Sequence, residues 1–281
     1  MNTKFITLLL SLFACSLIAG NDSLRKKPGQ MYVTWGYTRA WYSKSTIHFQ
    51  DLSNTYHDVT GRNNYYDFTI YDAVAHDRPD FDKLKDVINI TIPQFVFRIG
   101  YKINDKWGVE LNYDHTKYVV DNYQTLRVKG QFNGTPVDGD SLIDPNRFLH
   151  FEHTDGANFW FFNAVRSFKL YQPSEKFRLS WVLKPGGGFV MPRTDVTLFG
   201  ERLNNNWKIA GWIVGVESGI RAEFMKNGFF EFVGKGAYAD YVNCFVLGKG
   251  RGKASHHFFA RQLTATLGVR FNTKPRKLTK A

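Results

Sequence analysis

From Leu263 to Phe271 the chain alternates residue by residue. Leu263, Ala265, Leu267, Val269 and Phe271 fall on one side, and Gln262, Thr264, Thr266, Gly268 and Arg270 on the other. Successive side chains on a strand point to opposite faces, so this segment predicts a strand with one apolar and one polar face. The same pattern recurs upstream. Met31, Val33, Trp35, Tyr37 and Trp41 oppose Tyr32, Thr34, Gly36, Thr38 and Ala40, with Arg39 interrupting the apolar series. Phe95, Phe97, Ile99, Tyr101 and Ile103 oppose Gln94, Val96, Arg98, Gly100 and Lys102. Asn104-Asp105-Lys106 then reads as a tight turn, and Val109, Leu111 and Tyr113 return against Glu110, Asn112 and Asp114.

Three further segments repeat the design: Phe177–Val190, Ala210–Phe224 and Phe229–Tyr241. The segment Asn158–Tyr171 is also a strand, but its run Phe159-Trp160-Phe161-Phe162 is apolar on both sides, which raises a bulge as one explanation. The sum is eight strands, of residues 31–41, 94–103, 107–116, 158–171, 177–190, 210–224, 229–241 and 256–271. Short connections (104–106, 172–176, 226–228) alternate with longer or more polar ones (43–92, 119–149, 200–206, 248–255). That asymmetry is the pattern of a transmembrane barrel with periplasmic turns and long outer loops.

The predicted fold class is therefore all-β: an eight-stranded antiparallel up-and-down transmembrane β-barrel with long extracellular loops. Ser45–Asp51 and residues 66–71 could add a spanning hairpin, giving ten strands. Neither carries a full lipid-facing stretch, so a hairpin above the membrane is preferred. Thr125–Phe132 with Val137 is read the same way.

Eight strands leave an interior just wide enough for side chains. The residues assigned inward include the charges Arg98, Glu110, Glu217, Arg221, Glu223, Glu231, Lys235 and Arg270, with Lys102, Asp114, Arg178 and Lys184 beside them. Buried charges must be paired. The expectation is a closed network of ion pairs rather than a pore, with an ion path as the alternative. The inward glycines Gly211, Gly215 and Gly219 are expected to leave room for large neighbours and to let the sheet curve.

Composition adds the address. The chain of 281 residues is 43% hydrophobic and 16% aromatic, but its mean hydropathy is only −0.35. That excludes a bundle of membrane helices and leaves a barrel open. Lys4, the apolar run Phe5–Ile18 and Ile18-Ala19-Gly20 read as a signal peptide over 1–20. Leu12-Phe13-Ala14-Cys15 loosely resembles a lipobox, so lipidation of Cys15 stays open. Cleavage leaves Cys244 alone, which allows no internal disulfide. A leader follows over 21–30, then the barrel over 31–272 and a basic tail over 273–281. The formal net charge of +12 gathers at Arg25-Lys26-Lys27 and in that tail. Its first reading is solvated basic tails; as a partner surface in an exported chain it points to lipid headgroups and lipopolysaccharide phosphates rather than nucleic acid.

Candidate chemistry gathers at one end. The histidines His48, His57, His76, His115, His150, His153, His256 and His257 all fall outside the short-turn half. Three segments stand out: His76-Asp77-Arg78-Pro79, Phe151–Gly156 and Ser255-His256-His257. In the first reading they brace a loop cap. In the second, His153, Asp155 and His256 or His257 hold a divalent cation. In the third, a hydroxyl of a hydrolase or acyltransferase is activated by His and an acid, the candidates being Ser255 beside His256, or Thr154 beside His153 and Asp155. Ser255 and His256 are neighbours on a strand and so point apart, which argues against them as nucleophile and base. No metal site and no cofactor is assigned.

The signal peptide, the alternating strands and a last strand ending in Phe271 resemble small Gram-negative outer-membrane β-barrels. The resemblance implies that Leu267, Val269 and Phe271 act as the signal read by the barrel assembly machinery. It also implies an outer-membrane location in contact with membrane lipid. His76–Pro79, Phe151–Phe159 and Thr194–Asn206 look like segments of a barrel family with no assigned activity. Lipid A deacylases share the shape, but their His-x-Ser motif is absent. Lipid A palmitoyltransferases carry an N-terminal amphipathic helix, for which Asn21–Gln30 is too short and polar. The expected function is a filled outer-membrane barrel with a binding or structural role at the cell surface. The alternatives are a lipid A-modifying enzyme at the outer rim and a narrow channel.

Overall fold

A computed structural model describes residues 29–52, 65–78, 94–174, 176–224 and 227–272. The expected signal peptide, the leader up to residue 28 and the basic tail, with Cys15 and His57, lie outside the described residues, while Gln30, the last leader residue, opens the first strand. Every element among the described residues is a strand.

Eight long strands form a ring. They are β1 (Gln30–Tyr42), β5 (Phe95–Lys102), β6 (Trp107–Asp114), β11 (Phe159–Ser174), β12 (Phe177–Val190), β15 (Gly211–Phe224), β16 (Gly228–Phe245) and β17 (Lys253–Asn272). Each pairs with the next, and β1 closes on β17 from Gln30↔Asn272 to Tyr42↔Ala260. All pairings in the ring are antiparallel. Closure removes the unpaired edges that a sheet would otherwise expose to lipid.

The facing follows the alternation. Tyr32, Thr34, Thr38 and Ala40 are buried, while Met31, Trp35 and Trp41 are exposed. Leu263, Leu267, Val269 and Phe271 are exposed, while Gln262, Thr264 and Thr266 are buried. The exposed residues form an apolar belt. From Met31 to Trp41 it runs about 25 Å along the barrel axis at the usual strand rise and tilt, which matches the apolar band of an outer-membrane barrel.

The run Phe159-Trp160-Phe161-Phe162 needs no bulge. Its register is continuous, and shifts occur only lower, after Lys169 and Tyr171. The run is apolar on both sides because Phe159 and Phe161 point into an apolar core. The glycines also differ from expectation. A side chain on Gly211, Gly215 or Gly219 would meet carbonyl oxygens of β16, so these positions serve close strand approach. Glycines that make room for a large neighbour are Gly100 and Gly268, over which lie the Tyr32 and Phe229 rings of the adjoining strands.

The long connections are folded. The first and second hold β2 (Ser45–Asp51), β3 (Tyr66–Ala73), β4 (Ala75–His76), β7 (Tyr118–Val120), β8 (Thr125–Phe132), β9 (Thr135–Leu142) and β10 (Leu149–His153). The third holds β13 (Thr194–Leu198) and β14 (Glu201–Asn204). Strands β2, β3, β8 and β9 continue the sheet from the top of β17. They do not enter the ring, so the barrel has eight strands and not ten. Strands β14, β13, β10, β7 and β4 form a second sheet.

The two sheets enclose an aromatic core. Phe68 stacks on Phe49 at 5.1 Å and meets Phe132 at 4.9 Å, while Phe132 meets Phe199 at 5.1 Å. This core runs on into the barrel mouth through Phe151, Phe159, Phe161, Ile213, Tyr241 and Phe258. The lumen is thus filled by charge only in its short-turn part, and its other end is apolar.

Truncating Phe68 to Ala removes a fully buried ring and is expected to cost about 3–5 kcal/mol. The cap should then become protease-sensitive while the ring keeps its heat-modifiable migration on detergent gels. Loss of both together would show that cap and ring fold as one unit.

Candidate functional site

Two places collect polar chemistry: the charged lumen and the seam where the cap meets the wall. In the lumen, β5, β6, β12, β15 and β16 each aim an alternate charged residue inward. Arg98 Nη1 lies 2.8 Å from Glu217 Oε2 and 3.1 Å from Glu231 Oε1. Lys184 Nζ donates to Glu110 at 3.0 Å and also pairs with Glu231. Arg221 Nε donates to Glu231 Oε2 at 2.6 Å. Lys235 Nζ is 2.9 Å from Glu217 and also pairs with Asp114. The Tyr32 hydroxyl donates to Glu110 at 2.7 Å.

The four cations Arg98, Lys184, Arg221 and Lys235 are balanced by the four carboxylates Glu110, Asp114, Glu217 and Glu231, and all eight are buried. Desolvating so many charges is costly, and mutual pairing offsets the cost. Toward the short turns, Arg270 meets Glu223 at 3.0 Å and Lys102 meets Glu223 at 3.9 Å. This is a second, more open pair set, separate from the central cluster.

The seam is different. His153 on β10 and His256 on β17 come from distant parts of the chain, and their Nε2 atoms are 3.1 Å apart. The other face of His153 meets Thr194, whose Oγ1 is 3.3 Å from Nδ1. Both histidines and Cys244 are buried. One ligand-type atom from each of the three lies within 4.8 Å of the other two. Tyr241 stacks on both rings at 4.8 Å, and Tyr118 covers them at 5.6 and 5.0 Å. Burial pulls the His153 imidazole down to about 3, so it is neutral at physiological pH.

The other candidates separate from this pair. Asp155 is engaged by Arg193 outside the cluster. Ser255 stands in register with His48 on β2 and points away from His256. His257 faces outward beside Tyr238. His76 pairs with Asp121, and His48 is 2.6 Å from Asp67. His115 lies 2.9 Å from Asn158 Oδ1, and His150 lies 3.5 Å from Glu152. These contacts tie cap segments together.

Asp77 does the same from a buried position. It accepts hydrogen bonds from the Ala40 and Lys117 amides at 2.8 and 3.0 Å and from Gln94 Nε2 at 2.7 Å. Burial pushes its carboxyl above the usual range despite those donors.

Cys244 escaped the sequence reading as a partner of the histidines. Hairpin register is only a partial signal, because it shifts between Tyr241 and Cys244. Antiparallel pairing of β16 with β17 brings Tyr241 opposite His256 and Cys244 opposite Ala254.

The chain has the fold of a small outer-membrane β-barrel. No protein-family model matches it, and no curated protein does. Among solved structures it is similar to the outer membrane protein OprG of Pseudomonas aeruginosa, at 12% identity over 88% of this chain and 98% of that one, with a TM-score of 0.37. It is also similar to Neisserial surface protein A, at 10% identity, 88% and 100% coverage and a TM-score of 0.33. A third is Ail of Yersinia pestis, solved with the heparin analogue sucrose octasulfate, at 13% identity, 87% and 100% coverage and a TM-score of 0.29. These likenesses concern the fold alone.

Replacing Arg98 by Met removes one cation and leaves Glu217 and Glu231 under-compensated. The expected loss is about 3–5 kcal/mol, read as a lower urea midpoint for loss of heat-modifiable migration. Adding Glu217→Gln should restore much of it. A single variant as stable as the parent would show that the cluster is not energetically coupled.

Proposed function

We propose that this protein is an integral outer-membrane barrel whose working part is its folded outer cap, with a binding or structural role at the cell surface. The observation that carries this reading is the pairing of a plugged lumen with long connections that build their own aromatic core. A conduit would need a continuous wet path. Here the balanced charges fill one part of the lumen, and apolar side chains with the second sheet fill the other. Connections with a packed core present a defined surface, as recognition requires.

Membrane lipid and lipopolysaccharide are the proposed surroundings. Arg39 and Arg261 face outward near Trp41, at the cap end of the apolar belt. Cations beside an interfacial aromatic suit the phosphates of an anionic headgroup layer. Leu267, Val269 and Phe271 are proposed as the assembly signal, since all three are exposed on the closing strand. The signal peptide and the outer-membrane address belong to the same proposal.

The rim enzyme is less well supported. Its candidate base residues His153 and His256 are buried and hydrogen-bonded to each other, and Asp155 and Ser255 lie apart from them.

Two measurements test the reading. In planar bilayers the purified barrel should give no ion-conducting steps, and discrete steps at neutral pH would overturn the plugged lumen. In cells expressing the protein, the mass spectrum of lipid A should be unchanged. Deacylated or acylated lipid A that disappears with His153→Gln would establish the enzyme instead.

A further inference from the structure

The buried trio at the seam is built from three separate pieces of chain. His153 sits at the end of β10 in the cap, Cys244 near the end of β16 and His256 on β17. Cys244 faces the histidines because of a local irregularity. The β16–β17 register shifts between Tyr241 and Cys244, and two consecutive residues, Val242 and Asn243, face outward. Both of their amides donate to the Ala210 carbonyl, at 2.8 and 3.0 Å. Strict alternation from Tyr241 would have turned Cys244 outward. The bulge turns it inward, a use of bulges common beside functional sites.

From this convergence we propose that His153, Cys244 and His256 form a three-coordinate site for monovalent copper that fastens the cap to the barrel wall. The ligand types are a soft thiolate and two imidazoles, the set that selects d10 ions. Two nitrogens 3.1 Å apart that each lie about 2.0 Å from a shared ion subtend about 100° at it, within the range of imidazole coordination. Cys244 Sγ already lies within 4.8 Å of a ring nitrogen of each histidine and closes on the ion by a modest side-chain movement.

The outer partner is present as well. With its proton on Nδ1, His153 donates to Thr194 Oγ1 and turns the Nε2 lone pair to the site, the arrangement that holds metal-bound imidazoles in place. The second imidazole has room for the matching tautomer. His256 Nδ1 is buried and makes no hydrogen bond among the described residues, so it can take the proton from Nε2; the Nε2···Nε2 hydrogen bond is then given up and replaced by a bond from each nitrogen to the ion. Ion binding then releases one proton, from the Cys244 thiol.

Charge balance selects the ion. One thiolate neutralises Cu⁺ but leaves Zn²⁺ with a net positive charge, inside a pocket walled by Tyr118, Tyr241 and Phe258. An uncompensated buried charge is strongly disfavoured. The site is sealed, so the ion enters as the cap closes during folding.

The test uses the protein purified from membranes, unfolded in urea and refolded into detergent with Cu⁺ under reducing, oxygen-free conditions. The expected result is one Cu⁺ per chain, held against a chromophoric copper(I) chelator, with one sulfur and two nitrogen neighbours by X-ray absorption. Thr194→Val should weaken binding roughly 10–100-fold. Cys244→Ala and His256→Gln should weaken it further, while heat-modifiable migration confirms that each variant folds. Folded wild-type protein that takes up no Cu⁺ would overturn the proposal. So would uptake unchanged in both ligand variants. Parallel refolding with Zn²⁺ addresses the ion itself, and tight zinc binding without copper binding would overturn the assignment to copper.

Discussion

An eight-stranded ring encloses a lumen no wider than the side chains that point into it. That constraint governs the rest of the molecule. With no room for bulk water, each inward charge must find its partner on another wall of the same barrel. Arg98 on β5 therefore reaches Glu217 on β15 and Glu231 on β16 across the lumen. Lys235 on β16 reaches Asp114 on β6 in the same way. The network ties strands far apart in sequence, so it fixes the relative heights of the strands as well as their charges. A one-residue slip would turn each strand's charges toward lipid.

The lumen changes character along its length. Tyr32 and Arg221 belong to the charged part, with the guanidinium 4.8 Å from the Tyr32 ring centroid. Beyond the central cluster come Phe161, Ile213 and Ala237, which belong to the core shared with the cap. The transition is graded: Lys235 Nζ sits 4.1 Å from the Phe161 ring while pairing with Asp114 and Glu217. The barrel is stabilised at one end like a membrane protein with a filled polar interior. At the other end it is stabilised like a soluble β-sandwich, by aromatic packing between two sheets.

This difference explains what could be read from sequence. Ring strands meet lipid on one face and a polar lumen on the other, so their residues alternate and their facing is legible from Trp35 or Leu267 alone. The cap strands carry a weaker mark. Thr194–Leu198 is buried at every position, and Leu149–His153 at all but one. A strand covered on both faces has no period to detect. The charges of the central cluster were legible as inward by alternation, but their partners were not, because pairing across a lumen depends on strand order and stagger. The meeting of Cys244 with His153 and His256 was hidden more deeply. It depends on a bulge that breaks the alternation, and on a cap strand whose place no local pattern specifies.

The seam between the two regimes is where the cap has to be held. Most of its contacts there are apolar and non-directional, and the polar ones are few. Tyr241 donates to the Ala157 carbonyl at 2.8 Å, and the Ala40 amide donates to Asp77 at 2.8 Å. Apolar packing alone tolerates sliding of one sheet over another, whereas a hydrogen bond or a ligand bond fixes a single position. The His153–His256 contact lies between the cap sheet and the wall, and it is one of the few side-chain polar contacts there that is directional on both sides. It therefore helps to fix the height of β10 against β17, together with the apolar core and contacts such as that of the Tyr42 hydroxyl with the Lys117 carbonyl at 2.6 Å. That fixed height carries to β13, which is paired with β10 in continuous register from Leu149↔Leu198 to His153↔Thr194. The placement of the outer surface thus depends in part on a polar contact buried beneath it, alongside the aromatic core that packs the cap.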